Sequence, residues 1–382
     1  MRGPTAWCIV GVGIRFSLNS FGSRLAVRHT LVLLIPLVVS LAVVPTPSAK
    51  GQEPFDKVEV LGRVLGGVPS QFLATVVTQQ GVTAKPDKKY LRTLQNAGAD
   101  RVLLKALRSA KQVKPKNLDW TIASKETEGI GHLARAVELN QQKQWAGVEQ
   151  EYRAALQILP ERPVLHELLG MYLQQQKKTD SAIAEFREAV RLRPDRLRAH
   201  SRLGSALLGV RDFDGAIAEC HTALRLRPSS GFVHNSLGLA LEGKGELDKA
   251  IAEYRDAIRL QPDYAEAHYN FGNALLAKGD LEGAIPRYRA ALRLRPNFAE
   301  AHNNLGAALL LKHDVEGAIE ESRAVVQLRP ENARARLNLG IILARKGDER
   351  EALAEFRATI KLDPDDRALR EAYDNFLEQM QR

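Results

Sequence analysis

Residues 265–298 read AEAHYNFGNALLAKGDLEGAIPRYRAALRLRPNF. The proline near the end, Pro296, belongs to a series at positions 160, 194, 228, 262, 296, 330 and 364. Glycines keep the same step at 170, 204, 238, 272, 306 and 340, and alanines at 182, 216, 250, 284, 318 and 352. A fixed step of about 34 residues is the signature of stacked helix-turn-helix units. Inside the quoted stretch, Lys278-Gly279-Asp280 marks the turn: the glycine ends a first helix and the aspartate caps a second. Pro296 cannot continue that second helix and closes the unit. Gly272 and Ala284 are small enough for the two helices to approach closely. Tyr288 and its counterparts Phe186, Tyr254 and Phe356 are expected to fill the space between them.

Followed outward, the step divides residues 129–366 into seven units: 129–162, 163–196, 197–230, 231–264, 265–298, 299–332 and 333–366. The first has Ala136 in the glycine place and Val148 in the alanine place, and the last has Thr359 where alanine is usual. Terminal units deviate because one side faces solvent. The final stretch, 367–382, sets Leu369, Tyr373, Phe376 and Met380 on one helical face and should cover the exposed end of the stack. The pattern resembles the tetratricopeptide repeat family. Phe271-Gly272 and Leu275 match that family's first helix, Ala284, Tyr288 and Ala291 its second, and Pro296 its closing proline. The resemblance implies an all-α fold: a right-handed α-solenoid of about seven 34-residue repeats with a C-terminal capping helix. It also implies a concave groove lined by the first helices.

Composition fits a folded helical array. Of 382 residues, 45% are hydrophobic, 26% charged and only 6% aromatic. Net charge is +10, part of it from Arg2, Arg15, Arg24 and Arg28, which have no acid among them. Those arginines precede an apolar run, TLVLLIPLVVSLAVV at 30–44, followed by PTPSAK. A basic start, a short apolar core and a small-residue exit form the secretory pattern. The run is shorter than the ~20 residues that span a bilayer comfortably. Residues 1–49 are therefore read as a signal peptide or membrane anchor. An exported or membrane-tethered, periplasmic chain is expected, bound to the membrane through this segment if it is not cleaved. Cys8 and Cys220 are the only cysteines, too few for a disulfide framework.

Between this address and the array, 56–112 read as a small all-helical module of three or four short helices, with breaks at Gly66-Gly67, Gly81 and Gly98. Residues 113–128 read as a polar linker.

The residues that look chemical have structural readings beside functional ones. His166, His200, His234, His268 and His302 are in phase, one per unit. Ligands of one metal ion must converge, and helix axes ~8–10 Å apart forbid it, so the histidines are read as packing at the edge of each first helix. Arg191 and Arg193, Arg225 and Arg227, and Arg293 and Arg295 are read in the last turn of each second helix, where cations complement the helix dipole. They also form a possible basic edge for an anionic surface. No aromatics interleave with them, so nucleic acid is not expected. Cys220 takes the place of Tyr254 and Tyr288 and reads as a packing residue.

On the groove implied by the resemblance, Asn270, Asn304 and Asn338 recur once per unit, with Asn235, Asn273 and Asn303 nearby. Asparagine both donates and accepts, so this ladder can pair with an extended peptide backbone. It resembles the asparagine ladder of the repeat arm of eukaryotic O-linked N-acetylglucosamine transferases. Arg198 and Arg202 fall where other members of the family hold a terminal carboxylate, although Glu167, Leu168 and Met171 break that pattern in the preceding unit. No zinc signature, nucleophile motif or phosphate loop is present. No enzyme activity, cofactor or metal is expected. The sequence reads as an interaction scaffold binding a protein or peptide partner, with a substrate-recruiting arm for a separate glycosyltransferase or envelope enzyme as the alternative.

Overall fold

The computed structural model of the protein describes residues 56–113 and 120–380. The proposed signal or anchor, 1–49, lies outside the described residues. Nineteen α-helices account for the described fold, with one isolated bridge between Val82 and Gln112. Among the described residues no helix is long and apolar enough to cross a membrane.

The array is built of helix pairs, and the boundaries read from the proline step for units two to seven, at 163, 197, 231, 265, 299 and 333, coincide with helix starts. Unit one holds α5 (Trp120–Gln141) and α6 (Trp145–Ile158), and unit two α7 (Pro163–Gln175) and α8 (Thr179–Leu192). Unit three holds α9 (Leu197–Gly209) and α10 (Phe213–Leu226), and unit four α11 (Gly231–Gly243) and α12 (Leu247–Leu260). Unit five holds α13 (Ala265–Ala277) and α14 (Leu281–Leu294), and unit six α15 (Ala299–Leu311) and α16 (Val315–Leu328). Unit seven holds α17 (Ala333–Lys346) and α18 (Glu349–Leu362), and α19 (Arg367–Met380) follows. Successive first helices approach one another, α9 with α11, α11 with α13 and α13 with α15, whereas successive second helices do not. The first helices therefore form the inner face of an α-solenoid.

Two local devices set each pair. The turn residue adopts a left-handed conformation in every unit. Gly245, Gly279 and Gly347 do so without cost, while Lys143, Lys177, Arg211 and His313 hold positive φ at roughly 1–2 kcal/mol for an L-residue. Asp280 then caps α14 by accepting from the Gly283 amide at 2.8 Å. Between the helices, Phe186, Tyr254 and Tyr288 are fully buried and press against Gly170, Gly238 and Gly272. Units three and six hold Cys220 and Ser322 at this place, and Gly204 and Gly306 have room to spare.

The small module is four helices, α1 (Lys57–Leu65), α2 (Ser70–Gln80), α3 (Lys88–Asn96) and α4 (Arg101–Ser109). Aspartates cap α1, α3 and α4 at Asp56, Asp87 and Asp100. The module shares one apolar core with the first two units: Val58, Leu61, Leu73 and Leu103 join Leu133, Ala155, Val164 and Leu165. It therefore extends the array rather than standing apart from it. At the other end, α19 packs on α17 and α18 and sets Phe376 against Phe356, with ring centroids 4.8 Å apart.

One boundary differs from the sequence reading. α5 begins at Trp120, so residues 120–128, read as linker, are its first turns. Glu126 explains part of this, because it pairs with Arg162 at the end of unit one. That contact gives a polar segment a reason to be helical.

Candidate functional site

The inner face carries the predicted asparagines, but not as a row of separate rungs. Asn270 on α13 donates to Asn235 on α11 at 3.0 Å. Asn304 on α15 donates to Asn273 on α13 at 2.9 Å and to the Tyr269 hydroxyl at 3.2 Å. The buried Tyr288 hydroxyl reaches the same Asn273 oxygen at 2.9 Å. Asn303, exposed beside Asn304, donates to it at 3.3 Å. Asn338 lies exposed on α17, outside this network. Structure therefore brings Asn235, Asn270, Asn273 and Asn304 together across units four to six and leaves Asn338 apart.

Residues the sequence reading passed over complete this strip. Tyr264 is bonded to Asn235 and Tyr269 to Asn304, and burial raises both phenol pKa values. Glu242, at the end of α11, accepts from the Tyr254 hydroxyl at 2.7 Å, and burial holds its carboxyl above the usual range. Its charge is felt at Tyr269 and Tyr288. Tyr269 stands in the same phase as Asn303 and Asn235, so the repeat step was the signal that could have found it. The strip has donors, acceptors and ring faces but no activated nucleophile. Cys220 is buried, and burial pushes its thiol up to about 12.

Arg198 and Arg202 lie at the module end of the inner face. α1 packs across α5 and α7 there, and Arg198 donates to the Gly66 carbonyl at the α1 C-terminus. Arg198, read as a carboxylate holder, is thus engaged within the chain. Arg196, which sequence reading did not single out, bridges Glu59 of α1 at 2.9 Å and Glu167 of α7. Glu167 keeps 3% of its side-chain surface exposed, so it answers these arginines instead of a ligand. Burial, then the neighbouring Arg202 charge, lowers Arg198 to about 10, and burial also lowers Arg202.

The in-phase histidines turn out to be seams between units. His166, His200, His234 and His302 each set Nδ1 2.5–2.7 Å from a second-helix glutamate, Glu185, Glu219, Glu253 and Glu321. Nε2 of each lies 2.8–3.1 Å from the closing-proline carbonyl of the preceding unit. A carbonyl and a carboxylate only accept, so at His166, His200 and His234 the imidazole between them must donate from both nitrogens, and only the imidazolium can. Unit seven makes the same bridge with a permanent cation: Arg336 contacts Glu355 at 3.0 Å and the Pro330 carbonyl at 3.1 Å. Burial opposes the charge at His166, but Glu185 and the Pro160 carbonyl outweigh it and raise the pKa. At His200 and His234 the glutamate hydrogen bond is the leading cause of the upward shift. Among the described residues no cluster of three metal-ligating groups forms.

The arginine edge is largely paired within the chain. Arg191 binds Glu188 at 2.6 Å, Arg193 binds Asp195 at 3.2 Å, and Arg295 binds Glu266. Arg225 donates to the Thr222 hydroxyl at 2.9 Å.

With the geometry in place, comparison with known proteins bears on what this chain resembles. No curated protein matches it. Solved structures similar to parts of this chain include YrrB, described as a TPR protein with an unusual peptide-binding site, at 23% identity over 50% of this chain and 97% of that one, TM-score 0.43. Another is pilF of Pseudomonas aeruginosa, at 20% identity over 57% and 97%, TM-score 0.49. The APC/C hetero-tetramer Cut9-Hcn1 is similar over 83% of this chain and 58% of that one, at 16% identity and TM-score 0.54. That likeness is one of fold. Family models described as TPR repeat match residues 243–279 and 272–312, and models described as Tetratricopeptide repeat match 167–231 and 309–374. These matches fall within units two to seven, and the chain belongs to the tetratricopeptide repeat family.

Proposed function

We propose that the protein is a non-catalytic scaffold that holds a peptide segment of a partner protein on the inner face of its solenoid. The observation that carries this reading is the strip of Asn235, Tyr264, Tyr269, Asn270, Asn273 and Asn304 across units four to six. Asn270, Asn273 and Asn304 keep donor or acceptor capacity beyond their internal bonds, the buried Asn235 supports Asn270 from beneath, and the tyrosine rings offer apolar contact beside them. An extended backbone needs that mixture. Arg202 carries no ion pair among the described residues and extends the strip toward the module. The basic, apolar and small-residue order of residues 1–49 supports an exported or tethered chain. A substrate-recruiting arm for a separate envelope enzyme rests on the same strip and is the second reading.

The test is capture of partner peptides by the full chain, unaltered and with Asn270, Asn304 and Asn338 all changed to alanine. Loss of two or more inner-face hydrogen bonds should weaken binding roughly tenfold or more. Equal capture by both chains refutes the groove reading. Turnover of a nucleotide sugar by the purified chain alone would refute its non-catalytic part.

A further inference from the structure

The seam of unit five is built unlike the others. Its histidine, His268, keeps Nε2 3.0 Å from the Pro262 carbonyl, as its counterparts do. The glutamate that should face Nδ1 is absent: the residue nineteen positions on is Arg287. His268 is 7% exposed, and its Nδ1 is a buried polar atom without a hydrogen-bond partner. A second acid, present in units two and four alone, is absent here too. Units two and four carry Glu188 and Asp256 three residues beyond the seam glutamate, and these pair with Arg191 and Arg259 at 2.6 and 2.9 Å. Unit five has Ala290 there, and Arg293 is left without an acid among the described residues. Arg287 meets only a ring, its guanidinium 4.8 Å from the Phe271 centroid.

α14 as a whole departs from its neighbours in charge. Its single acid, Glu282, is engaged by Lys312 at 2.6 Å. Arg287, Arg289 and Arg293 follow with no carboxylate among them. The groups acting on His268 are the Pro262 carbonyl beneath Nε2 and the cations Arg287 and Arg293 of α14; burial and those cations hold its pKa below the usual imidazole value. Units two and four show what such a seam takes. In unit two, Glu185 and Glu188 stand one helical turn apart, one on the histidine and one on the arginine.

The geometry points to a binding site for an acidic peptide segment at the unit-five seam, where two carboxylates one helical turn apart, supplied by a partner, take the places of the missing pair. One carboxylate bridges His268 Nδ1 and Arg287, and the other pairs with Arg293. Because His268 Nδ1 is buried, a flexible side-chain carboxylate can reach it where a phosphate held at a flat bilayer surface cannot. This site is distinct from the inner-face strip, so the two stand or fall separately.

The test uses the full chain and a labelled hexaglutamate peptide, with anionic phosphatidylglycerol vesicles and inorganic phosphate as the other arms. The peptide should bind more tightly below pH 6.5 than above it, and it should raise the His268 pKa read by NMR of the imidazole ring. Arg287→Glu restores the seam of the other units. It should raise the His268 pKa without peptide and weaken peptide binding roughly tenfold, the effect of losing a charge-assisted contact. The chain with Asn270, Asn304 and Asn338 changed to alanine should bind hexaglutamate unchanged. Absence of peptide binding, binding to vesicles or phosphate alone, or binding indifferent to Arg287→Glu would overturn the proposal.

Discussion

Gly272 and Gly306 occupy the same place in adjacent units, yet adding one methyl group to each should have opposite effects. A Cβ at Gly272 would lie 2.7 Å from Tyr288 Cε1 and 2.9 Å from Cδ1. Tyr288 is fully buried and tied through its hydroxyl to Asn273 at 2.9 Å, so it has little freedom to withdraw. Overpacking of that kind costs about 1–3 kcal/mol. Against it stands the gain of replacing a mid-helix glycine by alanine, about 1 kcal/mol. Gly272→Ala should therefore lose up to about 2 kcal/mol. At Gly306 the nearest atoms, Glu321 Cβ and the Ala318 carbonyl, are 3.5 and 3.6 Å away, ordinary contact distances. Gly306→Ala should keep the propensity gain of about 1 kcal/mol. Gly204, 3.5 Å from Cys220 Sγ, should follow Gly306. Urea denaturation of the full chain, followed by helical circular dichroism, measures the difference. A constant slope is needed, because repeat arrays can unfold in segments. If Gly272→Ala proves as stable as Gly306→Ala, the aromatic does not set the helix spacing and the packing argument fails.

The histidine seams make stability depend on pH. Folded pKa values raised above the unfolded ~6.5 at His166, His200 and His234 give a contribution fully present below that value. It is lost as pH rises through the folded pKa. The midpoint of thermal unfolding should fall as pH climbs from about 6.5, and changing all three to arginine, as at Arg336, should flatten the slope; an unchanged slope would show that other groups set it. Arg196→Ala strands Glu167 and Glu59 in the module interface, and breaking a buried pair costs roughly 3–5 kcal/mol. A loss under about 1 kcal/mol on urea unfolding would mean that water already reaches the pair.

The sequence exposes whatever the repeat step multiplies. Gly272, Ala284, Tyr288 and Pro296 recur because each solves one local steric problem, and six or seven copies make a weak signal strong. The turn at Lys278-Gly279-Asp280 was equally legible. Docking of α1 was not. Arg198 reaches Gly66 and Arg196 reaches Glu59 across separations of 132 and 137 residues, and no local period encodes such contacts. The seams lay between these cases. His and Glu share the phase, but their pairing needs two helices, and the third partner is a backbone carbonyl that sequence does not mark. The asparagine ladder was visible as a row, whereas its bonding through Tyr269 and Tyr288 required the actual approach of α13 and α15.

Recurrence itself separates scaffold from site. A residue type present in every unit answers a demand that every unit shares, which is the packing of one helix pair on the next. Binding chemistry should appear where a unit breaks the pattern without a steric reason. Units four to six do this twice. Tyr269 and Asn235 replace each other in one phase of the inner face and bring hydroxyl, amide and ring into one strip. Arg287 replaces a glutamate that six other units retain, leaving His268 with a buried nitrogen and no partner. The second departure leaves a buried polar atom unsatisfied, a cost on the order of 1–3 kcal/mol. A solenoid selected for stability alone would have kept the glutamate. The unpaired seam is therefore better explained by what it can take from a partner than by anything it contributes to the fold.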